Sequence, residues 1–199
     1  MTQQNPMQGE YDPTVPTRIV FGNEKNASLK NEIQKLGGKR VLVLSGHTVA
    51  EDTDSVQRLN DVLGEMSVGT YSGLTQRAPL ATAVEAANMA VDSGVDTLLG
   101  VGGSTISDAS RMIAVLMAEG ITTVEQLRNL GEEQDMMLSP DLDGKDIPLQ
   151  VSIPTTLSAG EFNMGGGNVI DDEAGHKIRV RHRRLYADLI VLDPVMTEG

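Results

Sequence analysis

The stretch "DTLLGVGGSTISDASRMIA", Asp96 to Ala114, decides the fold. An apolar run enters two adjacent glycines, and a small hydroxylated segment then opens a helical pattern. A strand, a glycine turn and a helix in that order aim unpaired helix N–H groups, at the positive end of the helix dipole, toward anything lying above the turn. Gly102 and Gly103 carry no Cβ, so a bulky anion can come close. Ser104 and Thr105 add hydroxyl donors. The same residues also fit a plain tight turn, because a short glycine pattern is a weak signal by itself.

Working outward, similar units repeat on both sides. Thr17–Gly22 reads as a strand. Leu29, Ile33 and Leu36 recur at helical spacing ahead of Gly37 and Gly38. "KRVLVLSG" is a continuous apolar strand of the kind buried on both faces. Val56, Leu59, Val62 and Leu63 mark a helix, and "SVGTYSG" a further strand. "PLATAVEAANMAVDSG" is a helix with Pro79 near its start and Gly94 past its end. After the opening stretch, residues 122–148 form a polar segment with one helical piece, "TTVEQLRNL". "PLQVSIPTT" is a strand closed by Pro154, which has no N–H for the ladder. Alternating strands and helices predict an α/β fold: a doubly wound, mainly parallel, Rossmann-like sheet. "GGGNVIDDEAGHKIRVRH" alternates with period two and predicts a β-hairpin near the C-terminus. In it Ile178 and Val180 face one way, and Lys177, Arg179 and Arg181 the other. "DLIVLDP" is a last buried strand. Residues 1–16 are expected to be a flexible arm, and 17–199 one domain.

The chain has 199 residues, enough for a substantial core, and a formal net charge of −12. That charge argues against nucleic-acid and anionic-membrane partners, which need a positive field. With no cysteine, thiolate metal sites and cysteine nucleophiles are excluded. No apolar run is long enough to span a bilayer, and the N-terminus lacks a signal pattern. The expected location is the cytoplasm. Lys177, Arg179, Arg181, Arg183 and Arg184 crowd one short stretch. They read as a solvated strand edge or as an anion site. The "DDEAG" carboxylates fit a turn better than a metal site.

"IPTTLSAGEFN", Ile153 to Asn163, is a second hydroxyl-rich loop that follows a strand. Two such loops at neighbouring strand ends can close on one ligand from two sides. "GVGGSTISDASR" resembles the Gly-Gly-Gly-Ser-x-x-Asp-x-x-Lys pattern of the iron-dependent alcohol dehydrogenases. "IPTTLSAGE" resembles that family's Pro-Thr-Thr loop, with spacing nearer the maleylacetate-reductase-like branch. "DLIVLDPVMTEG" resembles its Asp-Pro segment. The resemblance implies an α/β domain for NAD or NADP, followed by a helical domain holding iron or zinc. It implies hydride transfer between the cofactor and a small-molecule substrate: an alcohol, an aldehyde or a keto acid. Carried over residue by residue, it gives Gly102, Gly103, Ser104 and Thr105 as pyrophosphate contacts, with Asp108 as the motif aspartate. Thr155 and Thr156, with Ser158 on the same loop, line the cofactor cleft, and Lys177 faces the cofactor. A homodimer is one assembly this leaves open.

Three departures stand out. If Asp108 is the family aspartate, Ser104 replaces the third glycine and Arg111 the lysine. If Ser104 is the family serine, Val101 replaces the first glycine and Asp108 falls one residue late. The first alignment keeps the charges of "DASR". Gly46 stands where the family often has an aspartate for the ribose 2′-hydroxyl, which predicts tolerance of NADP. His47, His176 and His182 are poor substitutes for the family's metal ligands. The expectation is therefore either a fragment of a longer enzyme, inactive alone, or a free-standing module that binds the dinucleotide without catalysis. A polyol or sugar-phosphate relative from the same superfamily is a further alternative.

Overall fold

The computed structural model describes residues 9–11 and 17–197. Among the described residues ten strands form two sheets: β1 (Gly9–Tyr11), β2 (Arg18–Phe21), β3 (Val41–Ser45), β4 (Ser67–Tyr71), β5 (Thr97–Gly102), β6 (Met137–Leu138), β7 (Leu149–Pro154), β8 (Gly166–Asp171), β9 (His176–Arg181) and β10 (Leu189–Leu192). The helices are α1 (Leu29–Lys35), α2 (His47–Glu51), α3 (Ser55–Leu63), α4 (Leu80–Asp92), α5 (Ser104–Glu119) and α6 (Val124–Glu133).

The main sheet runs β1-β2-β10-β7-β5-β3-β4, and every neighbouring pair is parallel except β1 with β2. Of the arm expected over residues 1–16, Gly9–Tyr11 are a strand on the edge of this sheet, antiparallel to β2. The remainder of that arm lies outside the described residues.

The central strands β3 and β5 are apolar over most of their length because both faces are covered. Along β3, Val41 and Val43 join a cluster with α1 and α3, while Leu42 and Leu44 join another with α4 and α5. On β5, Leu98 faces the second cluster, and Leu99 and Val101 face the first. Each such leucine contributes about 1.5–3 kcal/mol on burial. Helix α5 is buried almost all round, with Ala109, Met112, Ile113 and Leu116 sealed from solvent. It lies between the main sheet and the smaller one, β6-β9-β8.

The hairpin is as its alternation predicts. Strands β8 and β9 are antiparallel, Ile178 and Val180 are buried, and Lys177, Arg179 and Arg181 are exposed. The polar segment 122–148 carries more order than expected. Helix α6 starts with a reciprocal cap, Gln126 N–H to Thr123 Oγ1 at 3.2 Å and Thr123 N–H to Gln126 Oε1 at 3.1 Å. Strand β6 adds to β9 in parallel.

Counted from β3, the parallel strands lie in the order 2-1-3-4-5 across β4-β3-β5-β7-β10. The chain leaves β3 for β4 on one side and returns to β5 on the other. The switch point therefore lies between the carboxyl ends of β3 and β5, where open α/β sheets hold ligands. Gly46 follows β3 there, and Gly103 follows β5.

Candidate functional site

The turn after β5 needs both of its glycines, for different reasons. Gly102 has φ 154°, a conformation L-residues avoid, and a Cβ on it would lie 2.5 Å from Ile106 Cγ1. Gly103 has ordinary extended backbone, φ −86°, but a Cβ there would lie 2.9 Å from Thr156 Oγ1. Helix α5 begins at Ser104 with no side chain capping its first turn. That leaves the helix end to the backbone N–H groups and the dipole.

The loop after β7 closes onto this turn. Thr155 N–H donates to Gly102 O at 3.1 Å. Gly160 abuts Ser104 so closely that a Cβ would sit 2.7 Å from Ser104 Cα. Ala159 turns the chain with φ 56°, and Ser158 Oγ accepts from Gly160 N–H at 3.4 Å. The two loops singled out from sequence are thus in mutual contact, Gly103 on Thr156 and Ser104 on Gly160.

Two clefts border this contact. One, of about 370 Å³, is lined by Gln76, Arg77, Ala78, Ser104, Thr105, Asp108, Asn168 and Lys177. It gathers four of the residues expected from sequence: Ser104, Thr105, Asp108 and Lys177. The other, of about 400 Å³, is lined by Pro154, Thr156, Leu157, Ala159, Glu161, Phe162, Leu192, Asp193, Pro194 and Thr197. It contains Thr156 and is mostly apolar. Thr155 and Ser158 belong to the loop between the clefts and line neither of them. Gly46 also lines neither. It precedes α2 on the far flank of the switch point, where a Cβ would lie 3.1 Å from Leu74 O.

Arg77, Gln76 and Asn168 are cleft residues that sequence reasoning missed. Arg77 and Ala78 both have positive φ, 72° and 48°, although neither is glycine. The bend is held from outside, since Ala78 O accepts from Ile170 N–H at 2.9 Å. Asn168 Nδ2 donates to Asp108 Oδ2 at 2.5 Å. Burial pushes the Asp108 carboxyl above the ordinary carboxylate range, against the opposing pull of Arg111, the Asn168 hydrogen bond and Lys177. Arg111, read from sequence as a substitute for a lysine, is buried. It donates to the backbone oxygens of Leu185, Gly166, Gly160 and Glu161.

Among the described residues no three or more His, Asp or Glu side chains stand together as a metal-holding group. His47 opens α2, His176 opens β9, and His182 Nδ1 accepts from Arg184 N–H at 3.2 Å. Among the described residues no helix is long and apolar enough to cross a membrane.

Residues 16–194 match the family model described as iron-containing alcohol dehydrogenase. The chain is 26% identical to the NADH-dependent butanol dehydrogenase A of Clostridium acetobutylicum, over 94% of its own length and 46% of that protein's. It is 26% identical to the maleylacetate reductase of Sphingobium indicum, over 96% of its length and 44% of that protein's. In structure it is similar to the NADH-dependent butanol dehydrogenase A of Thermotoga maritima, with a TM-score of 0.76 at 21% identity, covering 98% of this chain and 46% of that one. The chain thus spans a little under half the length of these relatives. The chain belongs to the iron-containing alcohol dehydrogenase family.

Proposed function

We propose that this chain is the cofactor-holding half of an NAD(P)-dependent oxidoreductase, which moves a hydride between the dinucleotide and a small alcohol, aldehyde or keto acid. The interlock of Gly103 with Thr156, with one cleft bordering each loop, is the observation that carries the reading. A dinucleotide is two nucleosides joined by a pyrophosphate. The pyrophosphate is assigned to the glycine turn, where α5 starts with no side chain capping its first N–H groups. The apolar cleft, with Leu157, Phe162 and Leu192, suits a flat base. The polar cleft suits the nicotinamide ribose. There Lys177 and Asn168 donate, and the Asp108 carboxylate accepts from a hydroxyl. The bound nicotinamide supplies the hydride chemistry; the chain's part is to bind it, orient it and keep water from it.

Two relatives are named for NADH. NADPH as a second cofactor is a separate proposal: it rests on the sequence alone, in which Gly46 has no carboxylate to repel a 2′-phosphate, since Gly46 lines neither cleft. The family's name implies iron, and the described residues do not assemble donors for it, so no metal-dependent step is assigned to them. A second reading is that this chain binds the dinucleotide without turning it over. Residues 17–199 act as one binding unit in either case. A cytoplasmic location, a small-molecule substrate and a homodimer complete the proposal.

Titration of NADH and NADPH by nucleotide fluorescence tests it. Saturable binding of both is expected. Absence of binding would overturn the dinucleotide reading, and NADH binding tenfold or more tighter than NADPH would overturn the role given to Gly46. Butanol oxidation by the chain joined to the portion of a butanol dehydrogenase A that it does not span, with added Fe²⁺ or Zn²⁺, separates the two readings: turnover supports the first, and NADH binding without turnover the second.

A further inference from the structure

We infer that Arg111 is a positioning residue of the cofactor site: its guanidinium holds the Thr155–Glu161 loop down onto the helix that starts at the glycine turn, and so sets the spacing between the two loops. This rests on the dinucleotide reading above.

Arg111 lies seven residues into α5, about 10 Å along the axis from the first turn. Only 2% of it is exposed. A charge that deep is tolerated only when its donors are satisfied. Nη2 donates to Gly160 O at 3.0 Å and Glu161 O at 3.2 Å, Nη1 to Gly166 O at 3.0 Å, and Nε to Leu185 O at 3.1 Å. The acceptors come from three separate segments. Asp108, at 3.7 Å, balances the charge. The planar fork is what allows one side chain to reach all of them; a lysine ammonium offers its donors from a single point.

The loop needs such an anchor. Among the described residues, hydrogen bonds tie it to the β5–α5 unit at two places: Thr155 N–H on Gly102 O, and the two bonds from Arg111 Nη2. Its outer side chains give little burial, since Leu157 is fully exposed and Phe162 is 47% exposed. Gly160 meets Ser104 with no room for a Cβ, so the loop is drawn to its closest approach. Releasing Arg111 lets it rise and carries Thr156 away from Gly103.

The test uses the full chain, with Arg111→Lys, Arg111→Met and Gly160→Ala. The last lifts the loop without touching the charge, and keeps the inference testable if Arg111→Met fails to fold. NADH Kd is measured at a temperature where circular dichroism shows each variant folded. Native-state chymotrypsin cleavage at Leu157 and Phe162 is followed in parallel. The expected result is a Kd raised about tenfold or more in Arg111→Met and Gly160→Ala, less in Arg111→Lys, with faster loop cleavage in the same order. A merely structural arginine would lower the melting temperature and leave the Kd of folded molecules unchanged, which would overturn the inference. If the wild-type chain binds no NADH, the dinucleotide reading falls instead. The loop-holding role then stands or falls on cleavage alone, and an unchanged cleavage rate overturns it.

Discussion

The two glycines of the turn are adjacent, and the structure gives them separable roles. Gly102→Ala meets two penalties. A φ of 154° costs an L-residue about 1–3 kcal/mol. Its Cβ, 2.5 Å from the buried Ile106, forces a repacking worth about 1–3 kcal/mol more. The sum, about 2–6 kcal/mol, lowers the melting temperature by roughly 4–24 °C in a domain of this size. Gly103→Ala meets neither. Its φ of −86° suits alanine, and the atom in the way is the hydroxyl of Thr156, which turns about one bond. Its stability cost is under about 1 kcal/mol, roughly 4 °C at most. Its effect falls on the ligand, because the new methyl displaces the Thr156 side chain where the two loops meet; NADH binding weakens about tenfold or more. Thermal melts by circular dichroism and fluorescence titrations on both variants measure the two effects. The reasoning is refuted if Gly103→Ala binds NADH like wild type, or if Gly102→Ala melts within about 2 °C of it.

Three further outcomes are expected. Leu99→Ala empties a sealed position on β5 and costs about 2–5 kcal/mol, read as a shift in the urea midpoint. Hydrogen bonds from Arg128 hold the Asp171 carboxyl below the usual carboxylate range, against burial. Its stabilisation is therefore present above about pH 4 and lost as the pH falls below that, and Asp171→Asn flattens this acid limb of the stability curve. Asp108 is the opposite case, because burial raises its pKa and the folded state keeps the proton to higher pH than the unfolded chain. Stability then declines as the pH rises above about 4 through the raised range, and Asp108→Asn, measured by urea midpoints across that range, removes the decline.

Where a segment was long and periodic, its structure was readable. The apolar β3 and β5, the Ile178/Val180 alternation and the span of α5 follow from burial on one or both faces. Short pieces left no period to read. Helix α2 has five residues and β6 has two, and both are set by what they pack against. The two loops of the site were legible because glycines and hydroxyls cluster there. Their contact was not, because it depends on β5 and β7 being neighbours in the sheet, which strand order decides. Arg77 was invisible for a different reason, since nothing in "TQRAP" announces a left-handed backbone at a residue that is not glycine. Arg111 was visible only as a charge in a motif. Its acceptors lie 49 to 74 residues away in the chain.

The central claim is that the two loops hold one dinucleotide between them. Amide resonances followed through an NADH titration test it most directly. Gly102–Thr105 and Thr155–Gly160 are predicted to shift together, with one shared Kd, along with Asn168 and Lys177 in the polar cleft. Shifts confined to one loop, or absent from both at saturating NADH, would contradict it.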